Sequence, residues 1–142
     1  MHRLRLIFCF IALIFAGEVF AQQSLSTLHS FNWGYSGPYG DGSSPGSFSM
    51  WGLNDPIEFN GRIYGMTMYG GQYTASGGDG VIYSCLPDGS DYVIIHTFDN
   101  ETDGYRPFGG LTAANGFLYG MTYNGGSNAS ARGCIFRIAP YN

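Results

Sequence analysis

Two histidines, His29 and His96, recur at one position of an internal repeat, in His29-Ser30-Phe31 and His96-Thr97-Phe98. Each stands upstream of an Asp-Gly pair, Asp41-Gly42 or Asp103-Gly104. Catalytic histidines are seldom duplicated at a structural position, so the expected role is packing or hydrogen bonding. No His-x-x-x-His or Cys-x-x-Cys spacing suggests zinc, and neither a Gly-x-Ser-x-Gly elbow nor a phosphate-binding loop is present. Asp99, Glu101 and Asp103 put oxygen ligands at alternate positions before Gly104, the pattern of a calcium loop. A complete loop of that type needs Glu at position twelve, where Gly110 stands. The expectation is a solvated connection, with calcium as the one cofactor these acids would suit. Among Asp55, Glu58, Asp79 and Asp88 nothing separates an acid from a base, so glycoside chemistry cannot be assigned from sequence.

Aromatic residues in the Gly/Ser-rich connections form a second candidate set. Trp33, Tyr35, Tyr39, Trp51 and Tyr73, with Phe48 beside them, are the weak candidates for ligand binding. Exposed rings there could stack on sugars or form a contact patch, and loops on a rigid β-scaffold commonly carry recognition. Packing of the loops over the scaffold is the simpler expectation.

The elements that must hold these residues are read from one phrase. Asn60-Gly61-Arg62-Ile63-Tyr64-Gly65-Met66-Thr67-Met68-Tyr69-Gly70-Gly71 returns 55 residues later as Asn115-Gly116-Phe117-Leu118-Tyr119-Gly120-Met121-Thr122-Tyr123-Asn124-Gly125-Gly126. Asn-Gly is the preferred two-residue hairpin turn, because both positions tolerate positive φ. It links a short strand (residues 57–59, or 111–114) to a longer one (62–68, or 117–123), which Gly-Gly is expected to end. A third strand follows at 81–86 and 134–138, with Val81, Tyr83 and Cys85, or Cys134, Phe136 and Ile138, on an apolar face. Pro87-Asp88-Gly89-Ser90 then turns the chain into a fourth strand at 92–98. Residues 25–31 match that fourth strand.

The predicted class is therefore all-β: tandem four-stranded antiparallel meanders resembling β-propeller blades. The boundaries are strand four of one blade at 25–31, a full blade at about 53–98, and a partial blade at about 108–139. About two blades result, whereas closed propellers typically have four or more. A compact two-module β-fold, an incomplete chain, strand donation, or a homo-oligomer completing a ring would each resolve that arithmetic.

Composition narrows the partners. Arg3 and Arg5, the apolar run of residues 6–15 and Val19-Phe20-Ala21 before Gln22 predict a signal peptide at residues 1–21, cleaved near Ala21. Ten apolar residues fall short of the roughly 20 that span a bilayer. Without residues 1–21, four arginines face nine carboxylates with no lysine, a net charge near −5. That excludes nucleic acid as the expected partner, since phosphate binding needs clustered basic groups. Glycine (23) and aromatic residues (11 Phe, 11 Tyr, 2 Trp) fit a turn-rich β-protein. Export would permit a Cys85–Cys134 bridge. The two residues nevertheless occupy positions four apart on equivalent strands, an offset of roughly 13 Å, well beyond the Cα span of a disulfide. Free thiols are expected.

Residues 28–138 resemble the extracellular tandem repeat known from Gloeobacter and Verrucomicrobia, called GloVer. The resemblance is carried by Asp103-Gly104, Pro107, Leu111, Gly116, Leu118-Tyr119-Gly120-Met121-Thr122, Gly125-Gly126 and Gly133-Cys134-Ile135-Phe136. The first copy departs with about seven extra residues around 48–55 and with Tyr83 in place of Phe. It implies an exported protein of many repeats, with no established catalytic residues to carry over. The expected function is that of a cell-surface or extracellular binding or structural module, with a glycan or another surface component as partner. The alternative is a propeller-type hydrolase or lyase acting on extracellular polysaccharide.

Overall fold

In the computed structural model, residues 24–31, 39–43, 45, 55–72, 78–99, 102–126 and 132–142 are described. They form ten strands: β1 (Tyr39–Ser43), β2 (Ile57–Phe59), β3 (Arg62–Thr67), β4 (Tyr69–Gln72), β5 (Val81–Cys85), β6 (Val93–Thr97), β7 (Tyr105–Pro107), β8 (Thr112–Ala114), β9 (Phe117–Asn124) and β10 (Ile135–Ile138). The chain is all-β and its sheet pairings are antiparallel. No described helix is long and apolar enough to cross a membrane.

Local chemistry sets the turns. Asn60 and Gly61 have φ of 52° and 78°, and Asn115 and Gly116 have 50° and 79°. Both values are positive in each copy, as a type I′ hairpin requires. The Glu58 carboxylate accepts the Gly61 amide at 2.8 Å and braces the first of these turns. At the next turn Gly89 N–H donates to Leu86 O at 2.8 Å, and Asp88 accepts both the Ser90 amide and hydroxyl. Those bonds hold the Asp88 carboxyl below its usual range.

The first module is the sheet β2-β3-β5-β6. The second is β8-β9-β10, with β7 added along the far half of β9. β1 and β4 are the first copy's version of that last pairing. Ser43 lies opposite Tyr69 as Tyr105 lies opposite Asn124. The one long strand β9 thus corresponds to β3 and β4, separated at Met68.

Two sequence expectations are corrected by the fold. Gly70-Gly71 does not end a strand; it belongs to β4, because β1 comes alongside and supplies backbone partners. A side chain at Gly70 would run into the backbone of Gly42, so two glycines meet where two strands approach closely. Residues 25–31 form no strand either. No described strand pairs with them; ring contacts and the His29–Asp41 bond are among what holds the segment in place. Phe31 sits 5.1 Å from Tyr83 and His29 stacks on Tyr92 at 3.8 Å.

The core lies between the two modules. Tyr64, Met66 and Ile82 of the first sheet meet Leu118 of the second and Leu111 just before β8, with Phe98 joining them. Ile57, Phe59, Ile95, Ala113, Phe136 and Ile138 close the rim of this cluster. Burying each large aliphatic or aromatic side chain contributes about 1.5–3 kcal/mol. The cluster therefore unites the modules. β5 is covered on both sides, since Val81, Ile82, Ser84 and Cys85 are all buried, whereas one apolar face was expected. The added coverage comes from the second module on the Ile82 side and from Phe31 over Tyr83 on the other. Ser84 tolerates burial by accepting Arg62 Nε at 2.7 Å, while the Arg62 guanidinium continues to Asp91 at 2.7 Å.

Candidate functional site

Of the aromatic candidates, Trp33, Tyr35, Phe48, Trp51 and Tyr73 lie outside the described residues, as does Glu101. Tyr39 opens β1. What the fold does bring together is each repeated histidine with the aspartate of the next Asp-Gly.

His29 Nε2 lies 2.8 Å from Asp41 Oδ2, and His96 Nε2 lies 2.6 Å from Asp103 Oδ2. The separations in sequence, 12 and 7 residues, differ, yet the phenylalanine contacts match. His29 meets Phe31 edge-on at 4.8 Å, and His96 meets Phe98 edge-on at 4.9 Å. Phe31 then packs on Tyr83 at 5.1 Å and 63°, while Phe98 packs on Phe136 at 5.2 Å and 64°. The repeated histidine thus ties the segment it stands in to the loop leading into the following module.

The glycine after each aspartate explains the threonine of the repeated phrase. A side chain at Gly42 would strike Thr67, and one at Gly104 would strike Thr122. Thr67 Oγ1 donates to Tyr69 O at 2.8 Å and receives the Val81 amide at 3.3 Å. Thr122 Oγ1 donates to Asn124 O at 3.2 Å and receives the Cys134 amide at 3.0 Å. Each buried threonine therefore pins strand two to strand three beneath the clasp. Gly65 and Gly120, two residues earlier, leave room for the rings of Tyr83 and Phe136. The glycine and the threonine of Tyr-Gly-Met-Thr thus have the same structural task in both copies.

These contacts define what the acids can do. Both Asp103 oxygens are engaged: Oδ2 with His96 and Oδ1 with the Asp99 amide at 2.7 Å. The carboxylate closes its own loop, assisted by Thr102 and Asp103 amides donating to Asp99 O. Among the described residues no group of three or more His, Cys, Asp or Glu is arranged to hold a metal ion. Cys134 donates its thiol proton to Asp103 O at 2.8 Å and lies 3.3 Å from Thr122 Oγ1. Cys134 and Cys85 are both free thiols. Glu58 and Asp88 brace turns, and Asp91 holds Arg62.

Replacing Asp103 with Ala removes the His96 contact and one loop-closing bond. We expect it to cost about 1.5–2 kcal/mol in urea unfolding, the low end of the range for hydrogen bonds to charged groups, because the site is part-exposed. Asp41→Ala should cost a similar amount, because Asp41 makes the equivalent contact with His29.

Around the first clasp the phenols are perturbed. Burial, reinforced by Asp41, pushes the Tyr92 hydroxyl well above the ordinary value of 10.0. Tyr92 donates that proton to Asp41 O at 2.8 Å. Burial also raises Tyr83 and the Cys85 thiol, the latter opposed by nearby Arg62 and assisted by Asp88. A folded-state value above the unfolded one means that the unfolded chain loses its proton first as pH rises. The associated stability is complete below the ordinary values, 9.0 for Cys85 and 10.0 for the tyrosines, and declines as pH climbs through the raised ones. Thermal melts should hold steady up to about pH 8 and fall above about pH 9. Tyr92→Phe should start lower, having lost its hydrogen bond, but decline less steeply.

Fold and site together define an all-β chain of two tandem blade-like modules joined by a repeated His–Asp clasp. No protein-family model matches the chain, and neither a curated protein nor a solved structure is significantly similar to it. Sequence reasoning assigned the histidines to packing or hydrogen bonding without naming their partners. The available signal was that each His-x-Phe is followed by an Asp-Gly, Asp41-Gly42 after His29 and Asp103-Gly104 after His96.

Proposed function

We propose that this chain is an exported, GloVer-type β-repeat protein that acts at the cell surface or outside the cell as a binding or structural module. The observation that carries the reading is the use made of the repeated residues. The Asn-Gly turns, the glycine seats, the threonine pins and the His–Asp clasps serve the same structural ends in both copies. Selection of a partner then falls to the unrepeated connections, which contain Trp33, Tyr35, Trp51 and Tyr73, with Tyr39 at the start of β1 beside them. Glycans suit such aromatic-rich loops, since a sugar ring offers an apolar face for stacking. The acidic balance of residues 22–142 disfavours anionic polymers as ligands. The leader-like residues 1–21 support export.

Cell fractionation followed by N-terminal sequencing tests the location; the expected result is an extracytoplasmic chain beginning near Gln22. Pull-down on isolated cell-envelope polysaccharide tests the role. Retention is expected, with at least a tenfold loss on replacing Trp33 and Trp51 by Ala. A chain confined to the cytoplasm would refute the location, and equal retention of the double variant would refute the loop assignment.

A further inference from the structure

The two copies of the repeated phrase have unlike surroundings on one face of their sheets. In the first module Tyr64, Met66 and Ile82 are 0%, 2% and 0% exposed, because the second module covers them. Their counterparts in the second module are Tyr119, Met121 and Ile135. Met121 is 54% exposed and Ile135 78%, with Tyr123 open beside them. The same residue types, placed by the same turn and the same strand order, thus build a face that is buried once and open once.

The other end of the chain carries the complementary half. In the first module strand β6 pairs along β5, with Val81 opposite Thr97, Ile82 opposite His96, Tyr83 opposite Ile94 and Ser84 opposite Val93. In the second module β10, the counterpart of β5, pairs among the described residues only with β9. The sequence counterpart of β6 is the segment of residues 26–30. That segment is already seated on its own first module as β6 is seated on the second. Phe31–Tyr83 reproduces Phe98–Phe136, and His29–Asp41 reproduces His96–Asp103. Leu28 is 44% exposed, although its counterpart Ile95 packs against the core.

We propose that a second copy of this chain docks head to tail on the open face of the second module, laying its residues 26–30 along β10 as a fourth strand. The register follows from the first module: Ser30 opposite Cys134, His29 opposite Ile135, Thr27 opposite Phe136 and Ser26 opposite Arg137. Leu28 of the incoming copy then covers Met121 and Ile135 as Ile95 helps cover Met66 and Ile82. The incoming first module, with Tyr83 standing where Phe136 stands in the second, completes the sandwich. The contact between copies repeats the contact that the chain already makes between its own modules. Pairing of an exposed strand edge with a strand from another chain is a common association mode. Unlike faces joined in this way close into a ring or run on as a filament, and the strand register is the same in both.

The inference concerns self-assembly and goes beyond the proposed surface role. Its test mixes two purified cysteine variants, Ser26→Cys and Arg137→Cys, each in a Cys134→Ser background, under mild oxidation. Light scattering of the unaltered chain is expected to show masses that are multiples of one copy, and peptide mass spectrometry an interchain bridge between positions 26 and 137. Ile135→Asp should retain the β-sheet circular dichroism of a folded chain, because Ile135 is exposed in the single copy. It should also shift dissociation to at least tenfold higher chain concentration. A monomer at 100 μM would overturn the proposal, as would an oligomer in which positions 26 and 137 fail to bridge. An oligomer indifferent to Ile135→Asp would overturn it as well.

Discussion

Leu118→Ala is expected to destabilise the chain by about 2–5 kcal/mol, the range for truncating a fully buried aliphatic side chain. Leu118 is completely buried and comes from the second module, yet the cluster it joins is anchored by Tyr64, Met66 and Ile82 of the first. Rigid β-sheets on either side limit how far the cavity can relax, which places the expected cost in the upper half of that range. Leu118 is therefore a test of the inter-module core as much as of one hairpin. Equilibrium urea unfolding followed by tyrosine fluorescence and by circular dichroism should give coincident, shifted transitions. Ile63, its counterpart in the first copy, is only half-buried. Ile63→Ala should cost less than half as much. Equal losses at the two positions would show that the modules do not share a core.

Gly133→Ala should be comparably damaging, by about 3 kcal/mol, for reasons that involve no cavity. Gly133 has φ of +105°, where a side chain is strained. An added Cβ would overlap the carbonyl oxygen of Thr122. Holding such a backbone conformation costs on the order of 1–3 kcal/mol, and overpacking adds a similar amount. The amide of Gly133 donates to Gly125 O at 3.0 Å and that of Cys134 to Thr122 Oγ1 at 3.0 Å, so the backbone has little freedom to withdraw. Gly80 occupies the same position in the first copy, with φ of +101° and its Cβ site filled by Thr67 O and Pro107. Gly80→Ala should therefore behave likewise. Gly61→Ala and Gly116→Ala supply the contrast. Both glycines have positive φ in open space, so each should lose only about 1 kcal/mol. A urea midpoint series over the four variants checks the ranking. Four equal losses would show that φ alone matters and that the Thr carbonyl contact does not.

Much of the local structure was legible because it obeys short-range rules. Asn60-Gly61 and Asn115-Gly116 turn where their φ tolerance predicts, and β2, β3, β5 and β6 fall within a residue or two of the expected spans. Turn chemistry and alternation depend on neighbours a few positions away, so the sequence displays them. Gly70-Gly71 shows the limit of that logic. Glycine pairs are frequent strand terminators, but in this chain a strand from far upstream comes close enough that only glycine fits. Residues 25–31 show it from the other side. Their strand-like pattern is real, but a strand needs a partner, and none of the described strands pairs with them within this chain.

The candidate site divides in the same manner. Repetition of His29 and His96 indicated a structural role, while the identity of Asp41 and Asp103 as partners depended on loops of unequal length returning to the same point.

By itself, then, the sequence determined an all-β chain, its repeated module, the turns and the positions that must be glycine. These follow from backbone sterics and from periodicity, which act within a hairpin. Only the tertiary structure decided that Met66 is buried and Met121 open, and which carboxylate each histidine meets. Two copies of one phrase have the same local preferences, and what distinguishes them is whether another sheet lies against them.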